Sequence, residues 1–326
     1  MNTMGESTHK HKVQQRQIEH APLPTKRSLL ITGVALFYIL LWSSAFIATK
    51  IGVTHSPPLT LLAARFLAAA LLMTILVWIC RLPRPQKWSS WGRLALFGLL
   101  NSALYLGCSY VAQRYLSAGM GSIIAATNPL VLTLIAPFVL RERLTWRRVL
   151  GLVLGFGGVF FVMEARLNGA SQLDTPGGML LSFVGIICLV GATIFYKRYP
   201  PREHPFVVNA VQLGVAGLAL VLPAMLFEHP EQAHIDGPLI WSFLYLVLVI
   251  SIGASLLWFW LLKQGEASVV SSYYFLTPIT GLALAAILLG EPFGLREAVG
   301  LAAVALGIAL INRVAKKDRG TIGDGQ

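Results

Sequence analysis

The 326-residue sequence predicts an all-α membrane protein whose ten transmembrane helices form two inverted five-helix repeats, with both termini in the cytoplasm. Three observations predict this fold class: the length of the apolar runs, the distribution of basic residues between them, and a repeat of sequence features in the two halves. Apolar residues make up 56% of the chain and charged residues 12%, whereas a soluble domain has about 25% charged residues. The lipid bilayer is therefore the expected surrounding of most of the chain.

Ten apolar runs are long enough to cross the hydrocarbon core, which takes about 17–25 helical residues. They lack the polar and apolar alternation of membrane-barrel strands, so we expect helices. We expect the repeats at 28–163 and 177–312, a disordered cytoplasmic tail at 1–27 and a second cytoplasmic tail at 313–326. Small residues at fourfold spacing, such as Gly151 with Gly155, predict close helix packing. The runs are 28–50, 59–80, 90–112, 117–139, 146–163, 177–197, 205–227, 238–262, 268–289 and 295–312.

The basic residues lie mainly in every second connection between the runs. With the N-terminus inside, the inside segments hold 21 of the 26 lysines and arginines and the outside segments hold 4; Arg65 lies within the second run. This asymmetry predicts cytoplasmic termini. It also excludes a nucleic-acid-binding protein, which would gather its basic residues on one water-exposed face.

Features of the first half recur 149 positions later, and 147 positions later around the second run. Because each copy has five spans, an odd number, the second copy must enter the membrane in the opposite orientation. Inverted repeats are typical of secondary transporters, whose halves rock around a substrate site near the midplane. The recurring features are Asn128-Pro129 with Thr277-Pro278, Glu142 with Glu291, Gly151 with Gly300, Gly158 with Gly307, Pro58 with Pro205, and Arg65 with Gln212.

Arg65 is the one ionisable residue placed well inside an apolar run. Such a residue is costly in the membrane and is a functional candidate, and its planar guanidinium suits a substrate carboxylate. The alternative is an arginine that snorkels to the surface or pairs with helix carbonyls. No Asp, Glu or His occupies the middle of a run. Since proton-coupled carriers usually move the proton through such groups, the sequence predicts uncoupled, facilitated transport.

Aromatic and amide side chains within the runs are the next candidates. Residues four apart share a helix face, and an aromatic-lined cavity with a few amides suits a flat or apolar ligand; helix packing is the alternative explanation. Prolines at mid-depth predict hinges or structural kinks. Besides Arg65, the substrate-binding candidates are Tyr38, Trp42 and Phe46 on one face of span one, Asn101 and Tyr105 in span three, and Asn128 in span four; the hinge candidates are Pro129 and Pro278.

No sequence pattern indicates catalysis, a cofactor or a metal site. The HKH stretch at 9–11 lies in the polar tail, and we expect it to be solvated. The GFGG stretch at 155–158 lies inside an apolar run with no preceding strand, which excludes a dinucleotide site. A membrane hydrolase would need paired acids, or a serine with a histidine at depth, and no run supplies them. We expect a small-molecule substrate and the lipid bilayer as partners, with the oligomeric state open between a monomer and a homodimer.

These features together resemble the ten-helix drug/metabolite transporters with a doubled EamA domain. The resemblance covers residues 30–312 and implies a bacterial inner-membrane carrier that exports amino acids or related metabolites by alternating access, with the aromatic-amino-acid exporters nearest. A broad drug exporter of the same fold and a channel-like pore are the alternatives. The second copy has Gly191 where the first has Trp42. The resemblance rests on WSSAF at 42–46, Pro58 with Ala64, Arg65 and Phe66, Asn128 with Pro129, the glutamates after spans four and nine, and the glycines of spans five and ten.

Overall fold

The computed structural model describes residues 26–139, 146–167, 174–263 and 276–323, and these residues contain helices and no strand. Most of the predicted N-terminal tail and Glu142 lie outside the described residues. Two helices contain a π-helical segment, and the fourth is broken into two parts. The helices are α1 (Lys26–His55), α2 (Pro58–Ile79), α3 (Trp88–Gln113), α4a (Ala118–Ala125), α4b (Asn128–Val139), α5 (Trp146–Leu167), α6 (Pro176–Arg198), α7 (Pro205–Phe227), α8 (237–263), α9 (Thr277–Leu289) and α10 (Leu295–Gly323).

Eight stretches of the described chain, in α1 to α8, are long and apolar enough to span a membrane. Helix α9 is apolar but has only 13 residues, and the residues before it, 264–275, lie outside the description. The side chains of α10 are described only as far as residue 310. The count of ten spans and the cytoplasmic termini therefore stay predictions.

The duplication is visible in the positions at which helices begin and in their irregularities. The π-helical segments of α3 and α8 overlap when one is moved by 149 positions, although π segments are rare in proteins. Three further helix starts lie at the same separation. These matched positions are Trp88 with Gly237, Asn128 with Thr277 and Trp146 with Leu295, and the π segments are Leu99–Leu104 and Tyr245–Ala254.

Each helix that contacts its counterpart in the other repeat runs antiparallel to it. In α5 and α10, a Cβ atom added at Gly307 would lie 2.5 Å from the carbonyl oxygen of Gly151, and one added at Gly158 would lie 2.5 Å from that of Gly300. The predicted close packing of small residues is confirmed here, because only glycine allows these backbones to touch. Helices α2 and α7 also pack as an antiparallel pair, as do α4a and α9. Antiparallel counterparts are what an inverted repeat requires.

Acidic side chains cap helix N-termini at one end of the bundle. The carboxylate of Glu291 accepts hydrogen bonds from the backbone N–H groups of Ala118 (2.6 Å) and Gly119 (3.0 Å), the first residues of α4a. The carboxylate of Glu228 accepts in the same way from Leu59 (2.9 Å) and Thr60 (2.8 Å) at the start of α2. A negative charge is favourable at a helix N-terminus, so both glutamates stabilise the ends of their helices.

Basic side chains complete this end of the bundle. The ammonium of Lys50 donates to the carbonyl oxygens of Gln113 (2.8 Å), the last residue of α3, and of Leu116 (2.6 Å), which follows it. Arg166 is 2% exposed, and its Nε lies 3.2 Å from a carboxylate oxygen of Glu297. The acids of this region are therefore occupied in joining helix ends.

Candidate functional site

Arg65 lies in the first half of α2 with only 5% of its surface exposed. Its Nε donates to the hydroxyl of Ser251 at 3.1 Å, and a terminal nitrogen donates to the hydroxyl of Tyr110. The guanidinium carbon lies 5.9 Å from the centre of the Tyr110 ring. No carboxylate of the described residues lies within ion-pair distance of Arg65. The guanidinium is therefore a buried positive charge held only by neutral groups.

A chain of polar side chains continues from Arg65 across three helices. The backbone carbonyl of Ser251 accepts a bond from the amide of Asn209 at 3.3 Å. The oxygen of Asn209 accepts from Gln212 at 2.7 Å, and the oxygen of Gln212 accepts from Asn101 at 3.4 Å. We call Arg65, Tyr110, Ser251, Asn209, Gln212 and Asn101 the polar network. It joins α2, α3, α7 and α8 and includes both Arg65 and Gln212, the two residues related by the repeat.

Both π-helical segments contribute to the polar network. Asn101 lies in the segment of α3 and Ser251 in that of α8. The hydroxyl of Ser251 donates to the carbonyl oxygen of Leu246, five residues earlier, at 2.9 Å, while it accepts from Arg65. π segments inside α-helices are frequent at functional sites because they disturb the regular hydrogen bonding of the helix. The network therefore combines a buried charge with two irregular helices.

Asn101 and Tyr105 contact different helices, although their spacing predicts a common face. Asn101 bonds to α7. Tyr105 packs in the apolar core against α6, where a Cβ atom added at Gly185 would lie 3.0 Å from the carbonyl oxygen of Tyr105. Asn101 lies inside the π segment at Leu99–Leu104 and Tyr105 directly follows it, so the irregular part of α3 contacts both α6 and α7.

The three aromatic candidates of α1 divide between two clusters. Tyr38 and Trp42 are stacked, with ring centroids 6.2 Å apart, and Tyr38 is 4% exposed. They pack beside α8 and Leu276, whereas Phe46 packs against α4a and α9. The structure thus packs these rings against neighbouring helices, and their contact with a substrate stays a prediction.

The two hinge candidates stand at helix starts. Pro129 is the second residue of α4b, after a break at 126–127, and Pro278 is the second residue of α9. Proline is tolerated in the first turn, where its missing N–H would have no partner within the helix. The break in the fourth span directly precedes Pro129, which has no N–H to donate to the preceding turn. Motion at either proline stays a prediction.

The break in the fourth span lies level with the start of α9. A Cβ atom added at Gly281 of α9 would lie 2.5 Å from the side chain of Ser122 in α4a. Moving four residues along each antiparallel helix, about 6 Å at 1.5 Å per residue, leads from Gly281 to Thr277 and from Ser122 to Ala126. The start of α9 and the start of α4b are therefore neighbours.

Among the described residues, two buried polar atoms at these helix starts find no hydrogen-bond partner. They are the side-chain oxygens of Asn128 and Thr277, which the repeat relates to each other. The carbonyl oxygen of Thr277 accepts from the hydroxyl of Ser43 at 3.2 Å, but its own hydroxyl is unpaired. Unpaired buried polar atoms are rare in native proteins, and each is a candidate ligand contact. Asn128 was predicted from the sequence, whereas Thr277 entered only as its repeat partner.

Sequence reasoning missed Tyr110, Asn209 and Ser251 as members of the polar network. Asn209 precedes Gln212 by three residues, a spacing that places both on one helix face. Ser251 is the counterpart, 149 positions on, of the buried Ser102 in the other π segment. These two signals were present in the sequence, whereas nothing local distinguishes Tyr110 from the other tyrosines.

Known relatives share both the sequence and the fold. The family model described as the EamA-like transporter family matches residues 29–164 and 176–313. The uncharacterized transporter YvbV of Bacillus subtilis is 29% identical, over 91% of this chain and 95% of that one. A probable amino-acid metabolite efflux pump of Salmonella typhimurium is 29% identical, over 84% of this chain and 92% of that one. A crystal structure of a protein that is 21% identical covers 88% of this chain and 98% of that chain with a TM-score of 0.62, so the fold is shared.

Proposed function

Because the chain belongs to the EamA-like transporter family and is a multi-pass membrane transporter, we propose that it exports amino acids with aromatic or other apolar side chains from a bacterial cell. Transport proceeds by alternating access across the inner membrane and is driven by the gradient of the substrate itself. The relative from Salmonella typhimurium, named as a probable amino-acid metabolite efflux pump, supports this substrate class.

The observation that carries the proposal is the buried guanidinium of Arg65 without an acidic partner. A buried charge that lacks a counter-charge is destabilising, and a substrate carboxylate would supply that counter-charge. The planar guanidinium of Arg65 can hold a carboxylate through two parallel hydrogen bonds. The hydroxyl of Tyr110 can donate a third hydrogen bond to the carboxylate once Arg65 no longer donates to that hydroxyl. The amide oxygens of Asn101 and Gln212 are acceptors for the substrate ammonium in the same network.

Uncoupled transport is proposed because three buried or partly buried acidic side chains of the described residues bond to groups outside the polar network. Asp174, Glu291 and Glu297 are engaged with helix ends or with Arg166, and none of them bonds to the polar network. A proton-coupled carrier needs a titrating group on the substrate path. In proteoliposomes with equal substrate on both sides, an imposed pH gradient should therefore produce no net flux, and net flux would contradict the uncoupled mechanism.

The test of substrate recognition is counterflow in proteoliposomes loaded with unlabelled phenylalanine. Labelled phenylalanine should enter with saturation, and free phenylalanine should compete far better than its amide, which lacks the carboxylate. Since a hydrogen bond to a charged group is worth about 1.5–3 kcal/mol, Arg65→Lys should weaken exchange roughly 10- to 100-fold. Arg114→Gln, a change at an exposed arginine near the end of α3, is the matched control.

Each outcome of this experiment has a defined meaning. Equal competition by the amide, or unchanged exchange by a folded Arg65→Lys protein, would refute carboxylate recognition by Arg65. Exchange of an apolar cation without exchange of any amino acid would move the function to drug export. Flux that does not saturate would indicate a channel-like pore.

A further inference from the structure

A groove with a volume of about 1120 Å³ lies between the last turns of α2 and the first half of α7. Its walls are apolar and come from both helices, and its mouth is formed by the connection that follows α2. Its lining within the described part of the chain includes no acidic residue. The residues that define it for the argument are Val77, Trp78, Val211, Gly214, Arg81 and Arg84. We call this feature the α2/α7 groove.

The groove forms because α2 and α7 diverge toward this end of the bundle. A Cβ atom added at Gly217 would lie 2.9 Å from the side chain of Leu67, so the helices touch there. One turn closer to the groove, a Cβ atom added at Gly214 would lie 3.7 Å from Ala70, which is ordinary contact with room to spare. Beyond this level the space between the helices widens into the groove.

The α2/α7 groove faces away from the polar network. Successive residues of an α-helix are about 100° apart, so Val211 and Leu218 of the groove wall lie on the side of α7 opposite to Asn209 and Gln212. Leu218 is 68% exposed, and so the groove wall continues into the apolar outer surface of the bundle. The groove is therefore part of the surface that meets lipid and is separate from the proposed substrate path.

Two exposed arginines stand at the mouth of the groove. Arg81 has a positive φ of 50°, a left-handed conformation that usually belongs to glycine after a helix. The bonds from the N–H of Arg81 to the carbonyl of Trp78 (3.1 Å) and from the N–H of Leu82 to that of Val77 (3.0 Å) hold this turn. The chain thus places a guanidinium at a position where glycine would end the helix with less strain.

The connection between Arg81 and α3 is also fixed. The indole N–H of Trp91 donates to the carbonyl oxygen of Pro85 at 3.0 Å, and both residues line the groove. Trp78 is 72% exposed at the same level. Tryptophan is enriched where the hydrocarbon core meets the headgroups. The mouth therefore lies at headgroup depth and the apolar walls lie at acyl-chain depth.

We propose that the α2/α7 groove is a binding site for an anionic phospholipid. One acyl chain lies between α2 and α7, and the phosphate groups bind Arg81 and Arg84. The positive charges of Arg81 and Arg84 favour an anionic lipid, since basic pockets beside transmembrane helices bind anionic headgroups. By the positive-inside distribution of the basic residues, this lipid belongs to the cytoplasmic leaflet. The site depends on membrane insertion alone and not on the proposed substrate.

The test is native mass spectrometry of the purified protein with an equimolar mixture of phosphatidylglycerol and phosphatidylcholine. The wild type should retain phosphatidylglycerol preferentially. Arg81→Gln combined with Arg84→Gln should lower that preference roughly tenfold, because each basic residue near an anionic headgroup contributes several-fold in affinity. Arg198→Gln combined with Arg202→Gln removes the same charge outside the groove and should leave the preference unchanged.

A second variant separates the groove from general surface charge. Gly214→Leu should fill the acyl-chain space and reduce the retention of both lipids while Arg81 and Arg84 remain. Equal retention of the two lipids by the wild type would overturn the proposal. So would equal effects of the two arginine pairs, or full retention by Gly214→Leu. Thermal unfolding of each variant confirms that the protein measured is folded.

Discussion

Glu291 and Glu228 make the same kind of helix cap in different surroundings, which allows a paired test of how burial sets the strength of a cap. Each carboxylate accepts from two consecutive backbone N–H groups at a helix start. Glu291 is 8% exposed, whereas Glu228 is partly accessible. Replacement of either by glutamine keeps the size, removes the charge and leaves one oxygen to accept.

The expected losses follow from what replaces the missing acceptor. In Glu291→Gln one N–H of α4a stays buried without a partner, which costs about 1–3 kcal/mol. The lost charge at the helix N-terminus costs about 0.3–1 kcal/mol more, so the total is about 1.3–4 kcal/mol. In Glu228→Gln solvent can replace the lost bond, and the expected loss is about 1 kcal/mol.

Thermal unfolding in one detergent, followed by the loss of the monodisperse peak in size-exclusion chromatography, measures the two variants side by side. At about 2–4 °C per kcal/mol for a large domain, Glu291→Gln should lower the midpoint by about 3–16 °C, and by more than Glu228→Gln, for which the expected shift is about 2–4 °C. Equal shifts in the two variants, or a larger shift in Glu228→Gln, would refute the reasoning from burial.

Three further predictions concern stability. Gly307→Ala should lower the unfolding midpoint, because the added Cβ atom would lie 2.5 Å from the Gly151 carbonyl oxygen. Gly157→Ala, whose added Cβ atom would have nothing within 4 Å, should leave the midpoint unchanged or raise it. Equal midpoints of the two variants would contradict this packing. Thr277→Val removes an unpaired buried hydroxyl and should raise stability by about 1 kcal/mol while it lowers exchange, and a lower midpoint would show that the hydroxyl is satisfied. The N–H of Leu239, bound to the Asp236 carboxylate, holds the pKa of Asp236 below its ordinary value. Because the pKa of Asp236 is lower in the folded state, its charged carboxylate stabilises the folded protein at pH values above the unfolded-state pKa, and this stabilisation is lost as the pH falls through the folded-state pKa. Asp236→Asn should therefore reduce the loss of stability between pH 7 and pH 3, as measured by unfolding at a series of pH values.

The helices and their repeat follow from local sequence, because length, hydropathy and glycine spacing act within one helix or one helix pair. Gly151 and Gly155 illustrate this: the sequence predicts them as packing positions, and in the structure both backbones lie against Gly307. Arg65 was also identified locally, since a charge inside an apolar run needs no knowledge of its neighbours.

The polar network required the tertiary structure. Asn101 meets Gln212 only because α3 packs on α7, and the π segment that contains Asn101 has no sequence signature of its own. The sequence also leaves open what the prolines do in the fold. A proline within an apolar run fits either a bend or a new helix start, and the choice depends on whether the chain breaks before it, as it does before Pro129.

The two repeat-related positions of the polar network differ in charge: α2 carries Arg65, and α7 carries the neutral Gln212. The repeat brings these counterpart positions of α2 and α7 into one network, so two arginines would place two like charges in one buried site, while two glutamines would leave it neutral. Glutamine can donate to one hydroxyl and leaves no buried charge, so the neutral Arg65→Gln network should fold at least as stably as the wild type. If the fold tolerates a neutral amide at position 65, the buried charge of Arg65 is explained by the proposed substrate carboxylate and not by stability. Loss of exchange by a fully stable Arg65→Gln protein would support that explanation, and a strong loss of stability would return Arg65 to a role in helix packing.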